Sequence, residues 1–506
     1  MTEFNWTWYS AATPEIFVMV MCLFVLLVGA FSKKSFEKRV VRNLTIISLL
    51  GAFLLVLDNV SDIRQFAFPV TDVEGDSVSA LGSLYVVDTF TSFIKGFIIV
   101  CALLSLSLTN DFMMRKKTFK FEYDVLILLS VLGAMIMVSA QDLLMMYIGL
   151  ELMSFCLYIL TAFHRNEVKS SEAGLKYFVL GSLASGLLLF GMSYIYGVTG
   201  STSFDGIQQA FASGAGIANA PMMTTFAVVL LISGMAFKMS AAPFHMWTPD
   251  VYEGAPTPVT AYMAIVPKIA AMAIFIRVLA EPLMYMADEW QQIVIALSIL
   301  SMAVGSLMAI VQTNLKRLLA YSSIANIGFM LIPFSVASLD SVDEVLSYLV
   351  VYCLMTLGIF GVLLSLRKRD KFVETIDDLK GLSKTSPILA FCMLILMFSL
   401  AGVPPFAGFI VKLAAFKVAV DMGMAWLAII GVIFSVVSAY YCLRIVKVMY
   451  FDEPSDKFSP ELPTELRLIV GIMVVCVVAF GLFPDSILSA TNYAASSLKL
   501  AIGFYG

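Results

Sequence analysis

Along this chain, apolar runs alternate with short polar connections from one end to the other. Each run is long enough to cross a bilayer, which takes about 20 residues of helix. Within a run the apolar residues are contiguous rather than alternating, so the pattern predicts helices and excludes a membrane β-barrel. Fourteen spans are predicted, near 14–31, 43–61, 84–109, 124–140, 142–163, 172–198, 223–248, 255–280, 291–312, 318–338, 343–366, 386–418, 424–448 and 466–485.

Two runs are interrupted. "LLISGMAFKMSAAPFHMWTPD" (230–250) carries Pro243 late in span seven, and "SLAGVPPFAGFIVKL" (399–413) carries Gly402, Pro404, Pro405 and Gly408 in span twelve. Proline removes a helix hydrogen bond and clashes with the preceding turn. Backbone groups freed in this way are tolerated at membrane depth only where protein buries them or a watery cavity faces them. The predicted fold class is therefore an all-α polytopic membrane protein, with about 14 transmembrane helices and with helices seven and twelve broken. Corresponding breaks in two halves of a transporter point to its site. They predict two inverted five-helix repeats, helices 4–8 and 9–13. The chain then divides into an N-terminal three-helix segment (1–123), a first repeat (124–280), a second, inverted repeat (291–450), and a loop with the C-terminal helix (451–506).

Composition agrees with a membrane protein. The 506 residues are 60% hydrophobic and 13% charged, with mean hydropathy +0.92, where a soluble chain carries about 25% charged residues. The seven cysteines stand singly in apolar runs and no CxxC occurs. They read as small buried hydrophobes rather than metal ligands or disulfides. No GxGxxG follows a strand and no GxxxxGK[ST] is present, so no nucleotide, flavin, haem or iron–sulfur site is expected here. Nothing marks the chain for nucleic acid. The first residues lack the basic stretch of a signal peptide, so residues 17–31 read as a retained span.

Charge placement orients the bundle. The connections on the side of residues 32–43 hold 23 Lys and Arg, against Arg64 and Lys499 on the other side. By the positive-inside rule the basic connections are cytoplasmic and both termini are outside. Seven basic residues remain within spans: Lys95, Lys176, Lys238, Lys268, Arg277, Lys412 and Lys417. Each costs roughly 2.5–3.5 kcal/mol at a helix centre. Arg277 and Lys417 are near enough to span ends to snorkel. Lys238, Lys268 and Lys412 are deeper. Glu151, half-way along span five, is the clearest acid available to face them, while Asp88 and Glu172 lie near span ends. Burial disfavours a charged lysine and a nearby carboxylate favours it. A Glu151–Lys238 pair whose separation changes would therefore take up and release a proton. The same residues also fit a fixed bridge that ties two helices. His245 stands two turns after Lys238, on the same face if the helix continues. It is either a proton carrier or a hydrogen-bonded histidine beside the break. His164 reads as interfacial. "TPDVYEGAPTPV" (248–259) reads as a turn-rich connection with Asp250 and Glu253 solvated.

The stretch "KMSAAPFHMWTPDVYEGAPTPVTA" strongly resembles the antiporter-like membrane subunits of proton-pumping NADH–quinone oxidoreductase (respiratory complex I) and their Mrp antiporter relatives. "GLELMSF", "NLKRLLAYSSIANIGFML" and "GVPPFAGFIVK" agree, and the likeness extends over essentially the whole chain. Among the paralogous subunits it is closest to the branch with no long lateral helix after span fourteen and with Lys rather than Glu on helix twelve. The stretch 164–204 reads like that branch too.

The resemblance implies roles at matching positions. Glu151 matches the helix-five glutamate, Lys238 its helix-seven partner, Lys268 a helix-eight relay lysine, and Lys412 the helix-twelve lysine toward the outer half-channel. Lys176 resembles a further helix-six lysine, and Lys95 matches nothing in the family. The resemblance also implies a subunit of a translocase in the bacterial cytoplasmic (inner) membrane, with no redox chemistry in this chain. NADH, FMN, iron–sulfur clusters and quinone are then expected in other subunits. The expected partners are antiporter-like subunit M, small subunits K, J and A, the peripheral arm indirectly, and the lipid bilayer. Two rival readings fit the same residues: an Mrp-type Na⁺/H⁺ antiporter subunit, and a non-pumping structural membrane subunit.

Overall fold

The computed structural model describes residues 11–503 except 33, 67–77, 81–83, 117–119, 215–220, 337–340, 369–370 and 455–463. Among the described residues, thirteen helices are long and apolar enough to cross a membrane. Two shorter helices, Pro387–Ala401 and Ala407–Asp421, together make the broken twelfth span. The all-α polytopic fold class is thus as the hydropathy pattern predicts. Both termini, and most of the loop expected after residue 451, lie outside the described residues.

Polar residues fix where several helices start. Span three begins at Thr89, after the strand Tyr85–Val87, rather than at 84. Asp88 caps it: its carboxylate accepts from Thr91 N while Thr91 Oγ accepts from Asp88 N at 2.9 Å. Such a box satisfies two otherwise orphaned donors. Asp142 and Asn314 cap spans five and ten in the simpler way.

Burial sorts the bundle. The whole apolar window of span eight is buried, and 94% of those of spans ten and eleven, against 33% for spans one, thirteen and fourteen. Spans eight, ten and eleven therefore form the centre. Where spans four and five cross, a Cβ on Gly149 would stand 2.6 Å from Met137 N and 2.8 Å from Gly133 O. Spans nine and ten repeat this device: a Cβ on Gly328 would stand 2.6 Å from Met302 N, and one on Gly305 2.7 Å from Tyr321 O. Only residues without a Cβ let backbones approach so closely.

Two features depart from the sequence reading. Span eight is not continuous: it splits into Thr257–Met263 and Val266–Ala280. Pro267 has no N–H to return to the preceding turn, which opens the ladder there. A further helix, Asp485–Gly503, follows span fourteen. Its buried positions Ile487, Thr491, Ala494, Ala495, Ser497 and Leu498 gather on one side at helical spacing. Phe90 N, in the first turn of span three, donates to Ser497 Oγ at 3.2 Å. Asn492 donates to Asp343, in the first turn of span eleven, at 3.4 Å. The helix therefore lies across the face opposite the basic connections.

Candidate functional site

Three lysines lie buried beside breaks in helices. Lys238 occupies the last turn of Pro221–Met239, and the helix stops at Ser240, whose φ is +67°. The chain resumes as a helix at Trp247. The backbone groups freed between are taken up by protein. Ala242 N donates to Ser301 Oγ at 2.8 Å, and Trp247 Nε1 donates to the Phe237 carbonyl at 3.0 Å. Lys238 Nζ donates to Ser154 Oγ at 2.8 Å and to Tyr158 OH at 3.4 Å, both on span five. Glu151 stands one turn before Ser154 on that span. It is half-buried, beside the exposed stripe Ile148 and Phe155, and accepts a hydrogen bond from Ser185.

Lys268 follows the break in span eight and donates to Ser323 of span ten. Ser323 Oγ shares a hydrogen bond of 2.7 Å with Tyr352 OH, which donates to the freed Ala264 carbonyl at 3.1 Å. Lys412 reaches back across the break in span twelve. Its Nζ donates to the Leu400 and Ala401 carbonyls at 3.1 and 3.2 Å and to Ser435 Oγ at 3.2 Å. A cation at a helix C-terminus meets the negative end of the helix dipole. Gly402, at φ +85°, makes room: a Cβ there would press on Lys412 Cδ at 3.0 Å. The ammonium also lies 4.7 Å from the centre of the Phe329 ring.

Among the described residues, none of these three ammonium groups has a carboxylate within ion-pair distance. Three cations held in the bundle by hydroxyls, carbonyls and ring faces can lose a proton without leaving an orphaned anion behind. Between Lys238 and Lys268 the space is aromatic. Tyr158 meets Tyr177 edge-on at 4.7 Å, Tyr177 stacks on Trp247 at 4.4 Å, and the Tyr252 ring lies 5.8 Å from Lys268 Nζ.

Comparison with known proteins points the same way. Residues 140–438 match the family described as NADH:quinone oxidoreductase/Mrp antiporter, TM. NADH-quinone oxidoreductase subunit N of Paramagnetospirillum magneticum is 45% identical over 97% of this chain and 98% of its own length. The chain belongs to the NADH:quinone oxidoreductase/Mrp antiporter family. Within this family it aligns nearly end to end with subunit N members. A chain in the respiratory complex I of Thermus thermophilus with bound aureothin superposes with TM-score 0.76 at 31% identity, covering 94% of this chain and 98% of that one. A chain of the Mrp complex from Dietzia superposes with TM-score 0.83 at 21% identity, covering 97% of each. The higher score reflects a shared fold, whereas the sequence identity favours the complex I side of the family.

In this family member, two candidate residues stand apart from the buried lysines. Lys176 is at the basic face, its side chain 42% exposed, and pairs with Glu172 at 2.7 Å and Asp250 at 3.0 Å. Span six runs from Val168 to Thr199, 32 residues. At 1.5 Å per residue that is about 48 Å, so its first turns project beyond the roughly 30 Å hydrocarbon layer. Asp250 and Glu253, expected to be solvated, instead join a rim network with Lys176, Lys169 and Arg317. His245 lies inside the break rather than two turns along a continuous helix, so the shared-face argument fails. It is half-buried between exposed Pro243 and Met246. His164, read as interfacial, is buried; burial holds its imidazole below its usual value.

Three other buried cations are paired with carboxylates, and sequence reasoning missed these partners. Lys95 meets Glu15 at 2.8 Å and donates to Tyr85 OH at 2.6 Å. Arg42 meets Asp124 at 3.0 Å. Arg277 does not snorkel: it is fully buried between Asp88 at 2.6 Å and Glu281 at 3.1 Å. Glu15, Asp124 and Asp88 lie far from their partners in sequence and are brought to them by the fold, whereas Glu281 stands one turn from Arg277. Lys95→Met is expected to destabilise by about 3–5 kcal/mol, because it leaves Glu15 buried without its cation. Adding Glu15→Leu should recover most of that loss. Thermal unfolding of the detergent-solubilised protein checks this, and equal melting temperatures for wild type and Lys95→Met would show the pair contributes nothing.

Proposed function

We propose that this chain is a proton-translocating membrane-arm subunit of an NADH–quinone oxidoreductase in the bacterial inner membrane. The observation that carries this reading is the contrast among buried cations. Lys95, Arg42 and Arg277 are fixed by carboxylates, whereas Lys238, Lys268 and Lys412 are not, and each of these three sits beside a broken helix. Lys316, buried in the first turn of span ten, also lacks a carboxylate within ion-pair distance among the described residues and donates to the Ala255 carbonyl at 2.9 Å, but it lines the polar cavity at the basic face. A cation fixed by a carboxylate keeps its charge, while a carrier must be able to change charge.

A proton enters from the basic face, taken as cytoplasmic from the Lys and Arg asymmetry. A polar cavity of about 690 Å³ opens there, lined in part by His164, Lys116, Lys316 and Glu253. The proton rests on Lys238, passes to Lys268 and then to Lys412, and leaves at the opposite face. Movement of Glu151 relative to Lys238 supplies the electrostatic push: as the carboxylate approaches it holds the proton on the lysine, and as it withdraws the proton is released. Lys238 lies on Ser154 and Tyr158 here, one turn from Glu151, which fits the released arrangement. The breaks in spans seven and twelve, with the glycine crossings of spans four–five and nine–ten, support two inverted repeats, 4–8 and 9–13. Electron transfer from NADH to quinone takes place in other subunits, which hold NADH, FMN, the iron–sulfur clusters and the quinone. Subunit M and the small subunits K, J and A are the membrane-arm neighbours.

Purification of the tagged chain from native membranes in mild detergent tests this. It should bring down an NADH-oxidising assembly containing flavin and iron–sulfur clusters. Recovery in an antiporter assembly with no NADH oxidation would overturn the reading.

A further inference from the structure

Lys412 and Lys268 each touch few groups able to pass a proton on. The partners of Lys412 are two carbonyls, which only accept, and the Ser435 hydroxyl, which both accepts and donates. Lys268 has the Ser323 hydroxyl. Span thirteen carries Ser435, Ser438 and Tyr441 at three-residue intervals, so they share one helix face at about 5–6 Å spacing. Ser438 is buried and hydrogen-bonds Ser306 of span nine at 2.9 Å. Tyr441, also buried, donates to Ser322 Oγ at 3.0 Å, and Ser322 precedes Ser323 on span ten. Tyr348 donates to Asn326 at 2.9 Å in the same polar cluster, and Asn326 donates to the Ser322 carbonyl at 2.8 Å. The two hydroxyl clusters therefore end at consecutive residues of span ten, Ser322 and Ser323, whose side chains diverge around the helix. The Cys442 thiol, next to Tyr441 on span thirteen, also lies near the Lys412 ammonium, as does the Phe329 ring.

Resting on the proposed function above, we infer that the proton passes from Lys268 to Lys412 along a hydroxyl stripe on span thirteen: Ser323 and Ser322, then Tyr441, Ser438 and Ser435. At each step a hydroxyl accepts one proton and gives up its own, across water between Ser323 and Ser322 and between neighbours a turn apart on span thirteen, and the Tyr441–Ser322 hydrogen bond reverses as the proton passes. The Lys268 ammonium ends as an amine, the Lys412 amine as an ammonium, and every hydroxyl is regenerated. The stripe assigns relay roles to Ser435, Ser438 and Tyr441, which neither a motif nor a deep charge marks.

The test uses the whole complex in inverted membrane vesicles, with NADH-driven proton uptake as readout and complex abundance measured alongside. Tyr441→Phe and Ser438→Ala should each slow uptake at least about tenfold, less than the roughly 10²-fold of a positioned general acid because water can partly substitute. Ser438→Thr, which keeps the hydroxyl, should restore it. Ser365→Ala should be silent, since that hydroxyl bonds only the Gly361 carbonyl of its own helix at 2.7 Å. Adding Tyr441→Phe to Lys412→Ala should cost nothing more, because groups on one path are not additive. Full uptake by both Tyr441→Phe and Ser438→Ala, with uptake lost in Lys412→Ala, would overturn the stripe and leave the proposed function standing. Equal loss in Ser438→Thr and Ser438→Ala would also overturn it, since packing rather than the hydroxyl would then matter. Normal uptake by Lys412→Ala would instead sink the proposed function.

Discussion

Replacing Lys238 with alanine is expected to abolish or sharply reduce NADH-driven proton uptake and the quinone reduction coupled to it, while the subunit still assembles. Both halves of that outcome follow from the lysine's surroundings. Its ammonium is buried and donates to Ser154 and Tyr158, with no carboxylate in ion-pair contact. A charge in that setting raises the free energy of the fold; insertion scales put the cost near 2.5–3.5 kcal/mol. Deleting it removes that cost and leaves two hydroxyls that can be rehydrated through the break. What disappears is the group able to hold and release a proton. Lys95→Met should show the reverse, weakening the protein through the stranded Glu15. The pair of variants therefore separates carrier from strut. Measured uptake in vesicles, set against the amount of assembled complex, decides it, and normal coupled activity in Lys238→Ala would remove Lys238 from the path.

The parts of this arrangement that the sequence made legible share a feature: their signal is local. Continuous apolar runs mark spans, and Pro243 and the Gly402–Pro405 segment mark breaks. Lys238, Lys268 and Lys412 are conspicuous because charge is rare at that depth. What stayed hidden depended on distance or on length. Glu15 and Lys95 are neighbours only because spans one and three pack together, and no spacing rule reveals that. Lys176 falls within the span predicted at 172–198, but the helix begins at Val168 and carries that lysine to the basic rim. His245 was placed by a register that Ser240 ends. Span eight is predicted as one continuous helix over 255–280, and the break at Pro267 that frees the Ala264 carbonyl for Tyr352 appears only in the structure. The helix Asp485–Gly503 is too polar for a hydropathy criterion, and its six buried positions emerge only from periodicity.

Lys412→Arg is the sharper test of the outer end, because arginine preserves the charge that a structural role would need. The guanidinium can still donate to the Leu400 and Ala401 carbonyls and still complement the dipole of the broken helix. Arginine does not give up its proton in a protein, and Arg and Lys are not interchangeable where deprotonation is part of the task. If Lys412 only stitches the two halves of span twelve together, Lys412→Arg should assemble and pump at close to the normal rate. If Lys412 hands protons to the outer face, the same variant should assemble normally and lose at least about 10²-fold in uptake, the share expected of a positioned proton-transfer group. Raising pH within the range the membranes tolerate should not rescue it, since no accessible pH deprotonates the guanidinium. Lys412→Ala should be equally inactive and less stable, because the two carbonyls at the break lose their donor. The order of the three proteins in uptake and in melting temperature therefore differs between the two roles. A pumping Lys412→Arg complex would turn the row of lysines into a row of fasteners.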